Sequence, residues 1–375
     1  MASVAPIIDP LYTQRGFLPA VDPLPSFPAD SELSQLDELG RDLPSLLMDG
    51  GFRDRARTWE LPRWPSQWDG PEHLPALRLY YLRLGFLASG YVNQVPVNQM
   101  PAEPVRVLPE NISVPLVDAC CRLGRPPILS YDGYALYNWK RFDPAGPVAL
   151  GNLDTLQNFV HLYDEHWFIL VHVEIEALAA GILAAIERIA PALDAADGQI
   201  VSAALADIAR CVWQQVEVLR RIPEQMDPLL YYRTFRPYIR FFENVVYEGV
   251  DQAPMNYRGE TGAQSSIMPT LVALLKIPHA PTALTDHLRE MRTLMPAEHR
   301  ALVERIEQLP AVLPLAEKQP FNELLEAMAT FREVHFGWAR QYIQQRVDDP
   351  RGTGGTPYVR WLQQLIDETR GFQIG

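Results

Sequence analysis

The sequence predicts an all-α chain, with a small N-terminal helical domain of long loops (residues 1–150) packed on a large helical domain (residues 151–375). Three observations predict this. Apolar stripes at helical spacing recur after residue 155. No long alternating run suggests a sheet. The 34 prolines crowd residues 1–30, 61–75 and 95–127.

In chain order, "SELSQLDELGRDLPSLLMDG" spaces its leucines as a helix does, behind Ser31 as a candidate cap. "LPALRLYYLRLGFLASGYVNQ" carries a second apolar stripe. Between them and beyond, "LPRWPSQWDGPEHLP" and "PVNQMPAEPVRVLPENISVP" read as extended connections, because proline fixes φ and removes a donor. Residues 155–190 and 199–222 form two long helical patterns, followed by helical segments near 227–243, 265–277, 281–293, 296–308 and 321–347. Thr356 and Pro357 make an N-cap and first-turn pair that starts a final helix.

Hydrophobic residues form 47% of the 375 and charged residues 21%, a globular balance with room for a large core. The net charge of −13, with no basic cluster, disfavours nucleic acid and anionic membranes as partners. Cys120, Cys121 and Cys211 show no CxxC spacing, so a reduced, cytoplasmic protein is expected. The start lacks the basic-then-apolar pattern of a signal peptide. The apolar run "WFILVHVEIEALAAGILAAI" carries His172, Glu174 and Glu176, and reads as a core helix and not a membrane span.

Two histidines stand out. In "NELLEAMATFREVHFGWARQYIQQRV", Leu324, Met328, Phe331, His335, Trp338 and Tyr342 share one helix face. His335 is thereby aimed at the core and needs an acceptor or a metal. It is either a core histidine bonded to a carbonyl or carboxylate, or an axial ligand to haem iron. His172 lies at the edge of a seam formed by Phe168, Val171, Ile175, Leu178 and Ile182. It either pairs with Glu176 on the helix surface or faces a pocket. A non-haem metal site drawn from His161, Glu165, His166, His172 and Glu176 is the competitor, but HExxH and paired ExxH spacings are missing. Nucleotide loops and the GxSxG elbow are missing too.

The stretches "RPPILSYDGYALYNWKRFDP", "VVYEGV", "GAQSS", "MRTLMPAEHR", "FREVHFGWARQYI" and "GTGGT" follow one another in an order that resembles the indoleamine 2,3-dioxygenases. The resemblance runs from about residue 30 to the C-terminus. It implies a haem-binding large domain carrying haem b, with O2 as co-substrate. Both oxygen atoms would be inserted across the indole C2=C3 bond of L-tryptophan to give N-formylkynurenine. It places the proximal ligand on His335 and carboxylate binding on Arg236. Tyr131, Phe168, Tyr231 and Tyr232 would stand near the substrate ring. Gly262 would let the backbone run close to the pocket, and Thr353, in a closing loop, would approach the substrate ammonium and a haem propionate. His172 stands where the vertebrate members carry serine, and would bond the indole N–H or dioxygen. Tyr134 stands where they carry a smaller cysteine, and would narrow the pocket and add a polar group. The alternatives are a same-fold enzyme acting on another indole or aromatic amine, and a haem sensor without turnover. Monomer is the default oligomeric state.

Overall fold

The computed structural model describes residues 8, 10–95, 104–343 and 358–375. The described chain is mainly helical, as the apolar periodicity demands. The helices are α1 (Pro10–Arg15), α2 (Ser34–Leu47), α3 (Phe52–Ala56), α4 (Leu74–Asn93), α5 (Glu110–Arg122), α6 (Tyr163–Asp194), α7 (Gly198–Arg220), α8 (Pro228–Leu230), α9 (Ile267–Leu275), α10 (Ala283–Arg292), α11 (Ala297–Glu307), α12 (Lys318–Tyr342) and α13 (Tyr358–Gly371). Among the described residues, five short strands join them. β1 (Val107–Leu108) runs parallel to β4 (Phe242–Tyr247), which pairs antiparallel with β5 (Met255–Tyr257), while β2 (Lys140–Arg141) pairs with β3 (Leu153–Asp154).

Four elements depart from expectation. Helix α5 lies partly within a stretch read as an extended connection, and α6 starts at Tyr163, not near residue 155. Ser31 does not cap α2. Its hydroxyl takes the Leu33 N–H at 3.2 Å in the preceding turn, and the helix starts at Ser34. The segment near 227–243 is not one helix either. Asp227 caps the three-residue α8 through the amides of Leu229 and Leu230, a wide turn follows, and the chain then extends into β4. The start of the last helix at Thr356 and Pro357 lies outside the described residues.

The centre of the molecule is α6. It is long and apolar enough to cross a bilayer, but in this fold it is packed along α7 and against α1. Two hydrophobic cores meet on it. One gathers α2, α4, α5 and the 128–139 segment, and the other gathers α7, α9, α11 and α12. Gly181 permits the close approach of α7, since a Cβ there would meet the Cys211 Sγ at 2.5 Å. Gly16, at φ +61°, lets the N-terminal segment turn against the Glu176 carbonyl, where a Cβ would collide. Helix α12 lies along α7, and α13 is held to α12 by the buried Arg332, which donates to the Leu365 carbonyl at 3.1 Å and to the Thr369 hydroxyl.

Candidate active site

One stripe of α6 carries four polar or aromatic side chains: Glu165, Phe168, His172 and Glu176. At 100° per residue they span an arc of about 80°. The surface pair between His172 and Glu176, one of two readings of the sequence, does not form. The His172 Nδ1 lies 2.7 Å from the Phe168 carbonyl oxygen, one turn back. A carbonyl only accepts, so Nδ1 carries the proton and Nε2 keeps its lone pair. Burial lowers the pKa of His172 and keeps the ring neutral. The ring packs 4.6 Å from Phe168 and meets Tyr131 edge-on at 5.9 Å.

The flanking glutamates are fully buried, and each takes a phenol. Glu165 accepts the Tyr134 hydroxyl at 3.2 Å and the Phe159 and Val160 amides at 2.9 Å. Burial pushes its pKa up to about 8, against the pull of those donors. The Oε1 of Glu176 accepts the Tyr131 hydroxyl at 2.8 Å and the Ser265 hydroxyl at 2.6 Å, while its buried Oε2 has no partner. Burial pushes this carboxyl up to about 7.

The two tyrosine pairs sit in wide turns. Tyr131 opens the five-residue π-turn Asp132–Leu136, closed by the Tyr137 N–H on the Asp132 carbonyl at 2.8 Å. Such turns aim side chains that a regular helix would not. The Tyr131 N–H donates to Gln264 Oε1 at 2.9 Å, and Gln264 in turn donates to the Gly259 carbonyl at 2.7 Å. Beneath the turn, Arg125 pairs with Asp132 and Ser130 and lies 4.2 Å over the Tyr81 ring. Asp132 therefore anchors the turn. Glu174, on the same helix, accepts the Leu150 amide at 2.8 Å. Tyr134 stacks on Phe86 at 5.6 Å and Phe159 at 6.3 Å and tilts toward Phe168. Its hydroxyl goes to Glu165, so its ring is what it offers to a pocket.

The second wide turn, Tyr231–Phe235, follows α8. Tyr231 packs against Phe168 at 5.7 Å, Phe235 at 5.2 Å and Tyr342 at 5.8 Å. The Arg236 N–H closes the turn on the Tyr231 carbonyl at 3.1 Å. Arg236 is not at the surface. It is 6% exposed, with its guanidinium 5.1 Å over the Tyr232 ring.

On α12 the stripe is buried at Leu324, Met328 and Tyr342, half-buried at Phe331 and Trp338, and open at His335. His335 is thus not enclosed in the core as its spacing predicts. Its side chain is accessible although many protein atoms surround it. Burial, and then the field of His172, push it down to about 4. The two imidazoles are therefore neutral and within electrostatic reach of each other. Among the described residues, none bonds to the His335 ring. A neutral imidazole with no bonded partner among the described residues has a ring nitrogen lone pair to offer to a single metal centre. It does not suit a multidentate metal site.

The non-haem alternative comes apart. His161 meets the Ser45 hydroxyl at 2.9 Å and His166 meets Asp154 at 3.1 Å, while Glu165, His172 and Glu176 have the partners given above. Among the described residues no three His, Cys, Asp or Glu side chains gather as metal ligands. Gly262 starts the short turn Gly262–Gln264 and is exposed, and a Cβ there would meet nothing within 4 Å. Thr353 lies outside the described residues. An open hollow of about 600 Å³ beside Phe336, Arg360 and Glu368, on α12 and α13, includes none of the residues predicted for the site.

Sequence reasoning missed Ser265, Gln264, Glu260 and Arg125, saw Glu165 only as a possible metal ligand, and saw Glu176 as that or as a surface partner of His172. Glu260 is buried, which pushes it up to about 8, and its charge bears on both Tyr131 and Tyr134. The one local signal was spacing, since Glu165, His172 and Glu176 stand seven and four residues apart in an otherwise apolar helix.

Comparison with known proteins bears on the chain as a whole. The sequence profile described as indoleamine 2,3-dioxygenase matches residues 10–372. Indoleamine 2,3-dioxygenase 1 of Rattus norvegicus is 30% identical over 296 residues, covering 71% of this chain and 73% of that protein. Indoleamine 2,3-dioxygenase of Saccharomyces cerevisiae is 27% identical over 330 residues, with 71% and 73% covered. A myoglobin of Haliotis madaka is 27% identical over 292 residues, with 72% and 75% covered. A match over nearly the whole chain, on a mainly helical fold, leads to one conclusion: this chain belongs to the indoleamine 2,3-dioxygenase family of haem dioxygenases, which oxidise tryptophan and related indoles.

Proposed function

We propose that the chain binds haem b through His335 and oxygenates L-tryptophan at the indole C2=C3 bond to give N-formylkynurenine. The supporting observation is a pair of neutral imidazoles within electrostatic reach of each other, His335 on α12 and His172 on α6, the latter packed against Phe168 and Tyr131. Bound haem supplies the iron that activates dioxygen. The chain supplies the rest. Arg236 grips the substrate carboxylate, its planar fork suited to two parallel hydrogen bonds. The aromatic walls hold the indole flat and exclude water. His172 Nε2 accepts the indole N–H and fixes which edge of the ring is presented. The three free cysteines support a reduced compartment, the cytoplasm, and a monomer is the working state.

The test is a product assay on reduced, haem-loaded protein with L-tryptophan and labelled O2, read by mass spectrometry. A product carrying two labelled oxygen atoms supports the reading. One labelled atom, or none, contradicts it. Two other readings have an observation behind them. Tyr134 and its stacked neighbours favour a different indole or aromatic amine, which a substrate panel would reveal. The relative that bears the name myoglobin favours a haem-holding role without turnover. A haem spectrum unmoved by any indole would support that role.

A further inference from the structure

The carboxyls of Glu165 and Glu176 stand three turns apart on α6, on the same stripe, with His172 between them. An eleven-residue separation returns a helix to within about 20° of the same direction. Each carboxyl takes the hydroxyl of one pocket tyrosine, Tyr134 for Glu165 and Tyr131 for Glu176. Each is also tied to a second element, Glu165 to the Phe159–Val160 backbone and Glu176 to Ser265. Both phenols are thus turned to the acids, and both rings are left to face their aromatic neighbours.

We propose that Glu165 and Glu176 are specificity-determining positioning residues, which occupy the hydroxyls of Tyr134 and Tyr131 and so turn two polar residues into apolar ring walls. The inference rests on the proposed function above and specifies its substrate: a flat, apolar ring with a single N–H donor, read by His172 Nε2. A hydroxyl added to that ring loses its water and finds neither phenol free to pair with it, which costs binding. Neither glutamate need touch the substrate. The two act through the tyrosines. Burial raises both carboxyls toward neutrality, and a protonated carboxyl still accepts the phenol through its carbonyl oxygen.

The experiment measures dissociation constants of L-tryptophan and 5-hydroxy-L-tryptophan by calorimetry on haem-loaded protein. The variants are Glu165→Leu, Glu176→Leu, Glu165→Asp, Glu176→Asp, Glu165→Gln and Glu176→Gln. Leucine frees the phenol and aspartate withdraws from it, whereas glutamine can still accept it. The wild type is expected to prefer L-tryptophan. At least one Leu or Asp variant is expected to narrow that preference about tenfold, as the freed phenol pairs with the ligand hydroxyl. The matching Gln variant is expected to restore it, which a merely structural role would not require. Heat melting identifies any Leu variant that does not fold, and the Asp variants then carry the same expectation. If the wild type binds L-tryptophan and every folded variant keeps its preference, this inference is overturned and the proposed function stands. If the wild type binds neither compound, the proposed function falls and takes the inference with it.

Discussion

The Nδ1 of His172 lies 2.7 Å from the carbonyl oxygen of Phe168, the residue one turn earlier on α6. That single bond sets the tautomer and leaves Nε2 as an acceptor, the atom proposed to take the indole N–H. L-tryptophan should therefore bind His172→Ala more weakly than wild type, by about 1–2 kcal/mol. 1-Methyl-L-tryptophan, which has no indole N–H, should lose little. Equal losses for both ligands, measured by calorimetry, would remove the acceptor role.

Arg236→Ala should weaken L-tryptophan by roughly 2–5 kcal/mol, the range for a desolvated charge pair that loses one partner. Tryptamine lacks the carboxylate, so its affinity should be nearly unchanged by the same substitution. If both ligands weaken alike, Arg236 supports the Tyr231–Phe235 turn and does not grip the substrate.

The buried Arg125–Asp132 pair holds the turn that carries Tyr131 and Tyr134. Arg125→Ala would strand Asp132 in the core and should cost about 3–5 kcal/mol of stability. Urea unfolding measures it. A loss under about 1 kcal/mol would show the pair to be as weak as an exposed one.

Stability should fall as pH rises above neutrality. Burial raises Glu165 and Glu260 to about 8 and Glu176 to about 7, from an ordinary 4.5. The folded chain keeps protons that the unfolded chain has already released, so stability is full below about 4.5 and is lost as pH rises through the folded values. His287, His299 and His335, pushed down to about 4, act in the opposite sense, but only below about 6.5. Between about pH 6.5 and 8.5 the carboxyls act without that opposition, and each contributes a loss of roughly 1–2 kcal/mol. The melting temperature should drop across that window, and Glu165→Gln should flatten the drop. A level or rising profile would contradict the raised carboxyls.

Helices α6 and α12 were legible because a three-and-four spacing of apolar residues survives over many turns, and it drew attention to His172 and His335. The spacing also misjudged His335. Periodicity tells which way a side chain points, but not whether core or hollow lies there. The wide turns at Asp132–Leu136 and Tyr231–Phe235 have no periodic signature and were read as ordinary segments. The same limit hid β4, whose residues do not alternate strictly between buried and exposed. Glu176 is the clearest loss. Its partners arrive from 45 residues earlier and 89 later, so local sequence could offer only a surface pair with His172.

The most direct test of the two-histidine site compares haem retention in His335→Ala and His172→Ala after identical loading. His335→Ala should lose the haem absorbance band while its helical circular dichroism persists, and His172→Ala should keep the band. Full retention in His335→Ala, or loss in His172→Ala alone, would contradict the assignment of His335 to the iron and His172 to the substrate.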